Sequence, residues 1–271
     1  MYSGHNLQGR KRMAAIGLAL LYVILSVAFT TGCVFIGRKL VIRHVSSSHN
    51  QVMISLFASA SVVYAVLLGF LVVVVWESYD SAHRNVALEA ATLVPLYRLT
   101  DGMERANGTV LRNLIRAYAD AVVTDEWPLL GTNKDGSRKA RRAIGDMDRH
   151  FADLPAATKI SDAQVDAEFL RTKSAIVADR NERLLEASDS IPWVMWLGAL
   201  GGAVITTIMS SFIYMTRLWP HMIMAGLAGA LTGLLLFIMA VLSSPFRGPL
   251  ALGPEYFVSA LYVLDDVDRG Y

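Results

Sequence analysis

Residues Ser61–Ala90 read SVVYAVLLGFLVVVVWESYDSAHRNVALEA, an apolar run that reaches Trp76 and turns charged at once with Glu77 and Asp80. No Pro and no Asn-Gly pair interrupts the switch. A helix that leaves a bilayer and continues in water has this pattern, because only a backbone satisfied within itself can cross lipid. The reading sets the Glu77 carboxylate at the membrane boundary.

Three further runs share the apolar character of this one. The four are Met13–Ile36, Val52–Trp76, Ile191–Met215 and Met222–Leu242, each 21 to 25 residues long and free of Asp, Glu, Lys and Arg. About 20 apolar residues cross a hydrocarbon core of roughly 30 Å. The chain is 54% apolar and 18% charged, against about 25% charged in soluble domains. The fold class expected is therefore all-α, a polytopic membrane protein with four transmembrane helices. Two lie before and two after a helical cytoplasmic insert. The expected divisions are 1–76 (flank and helices one and two), 77–190 (cytoplasmic helices), 191–242 (helices three and four) and 243–271 (an amphipathic tail).

Arg10-Lys11-Arg12 ahead of an apolar run resembles a signal peptide, and Thr31-Gly32-Cys33 a lipoprotein cleavage site. The run is too long for a signal core and continues past Cys33, so an uncleaved first helix is expected. One cysteine excludes an internal disulfide. Basic residues flank the helices at Arg10, Lys11 and Arg12, at Arg38, Lys39 and Arg43, and at Arg217, with the other eighteen in the insert and tail. The positive-inside bias then sets both termini and the insert on the cytoplasmic side of the membrane.

The insert carries 16 Lys/Arg and 19 Asp/Glu, yet its apolar residues are periodic. Tyr79, Ala82, Val86, Ala90, Leu93 and Tyr97 step by three and four, as do Leu111, Leu114, Ile115, Tyr118 and Val122, which marks helical faces. Further helices are expected near Arg138–Phe151 and over Asp162–Ser188, where Ser161 and Gln164 resemble a capping box. Loop is expected around Pro128, Gly131, Gly136 and Pro155. Pro95 should kink or break the helix that contains it. After the Pro245–Gly248 turn, Tyr256, Phe257, Ala260, Leu261 and Leu264 mark a short amphipathic helix that lies on the membrane or docks on the insert.

Gly198/Gly202 and Gly229/Gly233 are GxxxG pairs suited to close helix packing, within or between subunits. Ser55, Ser59, Val62, Val66, Phe70, Val73 and Glu77 follow one face of the second helix, polar, then apolar, then acidic. A pore with a hydrophobic constriction and a charged mouth has this order; a face packed on other helices, with Glu77 at headgroup level, has it too. Glu89 and Asp80 either extend an acidic lining or pair with Arg84. His221 reads as facing water, and tryptophans at the run boundaries as interfacial anchors. HExxH, GxSxG, Walker and GxGxxG patterns are absent, and no histidine pair has metal-ligand spacing. No enzyme activity, cofactor or metal is expected. No basic stripe interleaved with aromatics marks a nucleic-acid surface.

Gly69-Phe70, Trp76-Glu77-x-Tyr79, Ala82, Glu89-Ala90, Leu96-Tyr97-Arg98, Arg180-x-x-Arg183, Ile191-Pro192-x-x-x-Trp196 and Pro245-Phe246-x-Gly248 together resemble the bacterial bestrophin-like family over roughly Val52 to Phe257. The resemblance implies a pentameric channel in the lipid bilayer, with the second helix lining the pore neck. Bestrophins conduct anions, whereas an acidic Glu77 at a pore mouth favours cations, and the resemblance leaves the permeating ion open. Ser243 and Ser244 replace the acidic residue expected before Pro245-Phe246, and no calcium-clasp cluster is recognisable. The alternative function is a non-conducting membrane scaffold or sensor whose cytoplasmic helices bind a partner.

Overall fold

A computed structural model describes residues 3–40, 47–130, 136–154, 160–188 and 191–270. Eight α-helices run through them: α1 Ser3–Leu40, α2 Ser47–Leu99, α3 Arg105–Ala121, α4 Arg138–Ala152, α5 Ile160–Ser188, α6 Trp193–Ser211, α7 Leu218–Leu242 and α8 Glu255–Asp268. Among the described residues there is no strand. Helices α1, α2, α6 and α7 are each long and apolar enough to cross a membrane. Arg43, Gly131 and Pro155 lie outside the described residues, as does the side chain of Ser161 with its expected cap.

The chain forms two units. The first comprises Met1–Tyr79, Ser190–Ser244 and Gly248–Leu250. Its helices close on one another through small residues. A Cβ on Gly229 would stand 2.9 Å from the Ser26 carbonyl oxygen, and one on Gly233 2.8 Å from that of Tyr22, so α7 lies directly on α1. Gly202 of α6 leaves room for the Tyr64 ring, whose hydroxyl donates to the Ala199 carbonyl at 3.1 Å. Both GxxxG pairs thus lie in one chain, with Gly202, Gly229 and Gly233 making close contacts there. Leu68, Leu71 and Val75 of α2 pack with Ala199, Leu236, Met239 and Leu242. The α6–α7 connection is tied down from two sides. Arg38 donates to the carbonyls of Met215 and Thr216 at 3.1 and 3.2 Å. The Asn50 carboxamide both donates to and accepts from the Tyr214 backbone, at 3.1 and 2.8 Å. His221 is buried against the Ser210 carbonyl at 3.2 Å rather than facing water.

The second unit comprises Asp80–Asp189, Pro245–Arg247 and Ala251–Tyr271. Its core joins Val86, Leu93 and Tyr97 of α2, Leu111, Ile115 and Tyr118 of α3, Ala140 and Met147 of α4, Phe169 and Ile176 of α5, and Phe257 and Leu264 of α8. Of the periodic residues read as helical faces, Val86, Ala90, Leu93, Tyr97, Leu111, Ile115, Tyr118 and Val122 lie in this core and Leu114 packs against it, whereas Tyr79 packs on the cluster of the first unit. Of the two placements open for α8, its apolar side docks on this core. A polar clamp adds to the contact: the Tyr97 hydroxyl donates to Asp268 at 2.7 Å and accepts from Arg116 at 3.1 Å, while Arg116 also pairs with Asp265 at 2.5 Å. Pro95 does not break α2, which continues to Leu99 and ends in a 3₁₀ turn, Thr100–Gly102. The missing proline N–H falls in the last turns, where little helix remains to be lost.

The α1–α7 contact is testable against a matched control. A leucine at Gly229 must displace α1, and overpacking of this kind costs about 1–3 kcal/mol. A Cβ at Gly201 meets nothing within 4 Å. Gly229→Leu should lower the thermal midpoint of the detergent-purified protein clearly below that of Gly201→Leu. Equal midpoints would remove the glycine contact as a packing determinant.

Candidate functional site

Two constellations stand out, one in each unit. In the first unit, Ser55, Ser59, Val62, Val66, Phe70, Val73 and Glu77 are all exposed on α2. Val62 is 64% and Phe70 68% exposed, unusual for such side chains unless lipid or another chain covers them. At about 100° per residue, the centre of this stripe falls opposite Leu68, Leu71 and Val75, the face that packs on α6 and α7. The stripe is therefore not used for packing inside the chain. Ser55 and Ser59 turn their hydroxyls back on their own helix, donating to the carbonyls of Gln51 and Ser55 at 3.1 Å each. Among the described residues, no ion pair holds Glu77. Asp80, by contrast, pairs with Arg84 one turn on.

The second constellation is buried charge. Glu89 is fully buried, so it neither extends an acidic lining nor pairs with Arg84. Instead Arg183 of α5 grips it with two bonds, Nε to Oε2 at 2.7 Å and Nη2 to Oε1 at 3.0 Å. The same Nη2 reaches Glu126 Oε1 at 2.8 Å. Arg180, one turn earlier, donates to both Glu126 oxygens at 3.1 and 2.5 Å. The Tyr118 hydroxyl donates to Glu89 at 2.5 Å, and the Ser137 backbone N–H to Glu126 at 2.7 Å. The Trp127 and Phe257 rings flank the Arg183 guanidinium at 5.4 and 5.6 Å, and its Nη1 has no hydrogen-bond acceptor. Ring faces carry negative charge and favour a cation in that position.

Local sequence places each member. Phe169, Thr172, Ile176, Arg180 and Arg183 step by three and four along the buried side of α5. Val122–Glu126 forms a π-helical turn after α3, whose extra residue turns Glu126 inward. Gly136, with φ of +65°, lies against Glu126 and Arg180 where any side chain would collide. It leads into Ser137, whose hydroxyl caps α4 by accepting from the Lys139 N–H at 3.1 Å.

The electrostatics are mutually supporting. Burial alone would raise the Glu126 carboxyl, but Arg180 and Arg183 outweigh it and hold the group below its ordinary range. Burial likewise opposes the Arg183 charge, and Glu89, Tyr118 and Glu126 hold the guanidinium above its ordinary value. Burial, then the Glu89 charge, keeps the Tyr118 phenol well up and neutral. Two carboxylates and two guanidiniums cancel. The set locks helices together and offers no free nucleophile. Among the described residues, no three metal-ligating side chains converge.

Sequence reading missed Glu126 and the burial of Glu89. A signal for the second did exist. Arg180 and Arg183 fall on the apolar side of α5, and arginine is rarely buried unless paired. Nothing local announces the π-helical turn.

The Bestrophin-like domain family matches residues 24–257, and the chain belongs to that family. A crystal structure of a point-substituted membrane protein superposes with a TM-score of 0.69 at 12% identity, covering 92% of this chain and 97% of that one. A bacterial Bestrophin homolog from Klebsiella pneumoniae, also a point mutant, gives 0.64 at 12% identity, covering 92% and 99%. At such identity the likeness is one of fold. No curated protein matches the chain.

Removing one partner from a buried pair typically costs about 3–5 kcal/mol. Arg183→Met leaves Glu89 and part of Glu126 uncompensated and should lose stability on that scale. Arg183→Lys should restore little, because an ammonium cannot grip two carboxylates in a fork. Denaturation midpoints in detergent measure both. A tolerated lysine would show that charge alone, without geometry, suffices.

Proposed function

We propose that this Bestrophin-like protein assembles as a homo-oligomer, pentameric by analogy with bestrophins, and conducts ions across a bacterial inner membrane through a pore lined by α2. In this reading 1–76 and 191–242 form the membrane part, 77–190 and the tail 243–271 the cytoplasmic part, and both termini face the cytoplasm. The observation that carries the reading is the exposed α2 stripe, which lies opposite the face that packs inside the chain. Copies arranged about an axis would turn Val66, Phe70 and Val73 toward one another. Rings of such side chains impede ions by excluding water from a narrow passage. Glu77, one turn beyond, would place a ring of carboxylates at the mouth and raise the local cation concentration. The Ser55 and Ser59 hydroxyls would leave the opposite end of the stripe polar.

Flux into liposomes bearing the purified protein tests this directly. Phe70→Ala should raise flux several-fold by widening the constriction, and Glu77→Gln should lower cation-over-anion permeability. Wild-type flux equal to that of empty liposomes would defeat conduction and leave a membrane scaffold or sensor. An unchanged ion ratio in Glu77→Gln would make Glu77 a boundary charge with no part in selection.

A further inference from the structure

We propose that Glu186 is a proton-operated latch between α5 and α2, closed when its carboxyl is neutral and loosened when it ionises. The geometry is specific to this side chain. The Asn85 amide of α2 donates to Glu186 Oε1 at 2.8 Å. The other oxygen, Oε2, is buried without a well-formed hydrogen bond among the described residues, and the Ser81 hydroxyl gives the carboxylate only partial support. A buried carboxylate oxygen so weakly supplied with donors is costly, and the cost falls when the group takes a proton.

Among the described residues, no positive charge is paired with Glu186. On α5, Glu182 lies one turn before Glu186 and Asp179 a further turn back, so like charges share the face. Arg180 and Arg183, also on α5, are committed to Glu89 and Glu126. On α2, Ser81 and Asn85 face Glu186 as neutral groups. Arg84 is exposed and paired with Asp80, His83 contacts the Tyr256 hydroxyl at 3.1 Å, and Glu89 is held by Arg183. Tyr118 of α3 is engaged with Glu89.

Burial, and then the Glu182 charge, push the Glu186 carboxyl up to about 7, with Ser81 and Asn85 pulling it partly back. The direction follows from linkage. A carboxyl raised in the folded state contributes stability that is complete below its unfolded value, near 4.5, and lost as pH rises through about 7. Mild acid therefore tightens the α2–α5 contact. Resting on the channel reading above, the latch would bias the pore helix itself and make conduction respond to cytoplasmic pH.

Hydrogen exchange on the full-length protein in nanodiscs tests the latch without assuming conduction. Corrected for intrinsic chemistry, exchange in the last turns of α5 should rise several-fold between about pH 6 and about pH 8, one unit either side of the midpoint. Glu186→Gln keeps an acceptor for Asn85 and should abolish the step, with strong protection at both pH values. Glu182→Gln should move the step to lower pH, and His83→Asn should leave it in place. A wild-type protein without the step, a step that survives in Glu186→Gln, or one lost in His83→Asn overturns the proposal. Liposome flux on the same variants is read separately: an intact exchange step with pH-independent flux leaves the latch standing and refutes its link to the pore.

Discussion

Arg183 is the charge around which the second unit is organised. A fully buried guanidinium must be matched by carboxylates with good geometry, or its desolvation outweighs everything it gains. Here the matching groups come from α2, from the π-helical turn after α3, and from the rings of Trp127 and Phe257. Each attachment fixes a separate element. Glu89 sets the rotation of α2, Glu126 requires the irregular turn, and Gly136 gives the chain room to pass. Arginine suits this junction because its planar fork can hold two carboxylates at once. The surrounding apolar core would tolerate several helix registers, whereas the charged junction tolerates one.

The membrane-capable helices follow different physics. Lipid is as apolar as leucine, so burial of apolar surface does little to bring them together. Close contact does it instead, and the small residues Gly202, Gly229 and Gly233 permit that contact. Polar ties add to it: Arg38 and Asn50 hold the backbone between α6 and α7, and the Tyr64 hydroxyl of α2 donates to the Ala199 carbonyl of α6. This leaves α2 with one face firmly packed and the other free of obligations inside the chain. A helix so divided can present a surface to a neighbour or to ions without disturbing the packing behind it.

The four apolar runs, the helical faces of the insert, and α8 were legible in the sequence because each expresses a single periodicity over many residues. The stripe on α2 was legible for the same reason. What escaped detection depends on tertiary partners. Glu89 sits among apolar neighbours, Val86 to Ala91, but a carboxylate on a helix face reads as solvated until Arg183 arrives to pair with it. Glu126 follows a backbone irregularity that leaves no residue signature. Pro95 points the other way: a strong local signal of interruption was absorbed because α2 ends at Leu99. Glu186 resembles any exposed helix carboxylate until Asn85 and its own burial are seen together.

Phe257, Ala260 and Leu264 belong to the core of the second unit, yet they follow both α6 and α7 in the chain. That order has a consequence for biogenesis. A ribosome making this protein must deliver the last two apolar helices before the core of the second unit can receive Phe257, Ala260 and Leu264. Until then Trp127 and the Arg183 guanidinium lack one of their aromatic walls, and the earlier helices form an open shell. Domains generally fold as units during synthesis, the N-terminal parts first. Here the most charged part of the chain must wait for α8, so its core closes only after the last two apolar helices have been made.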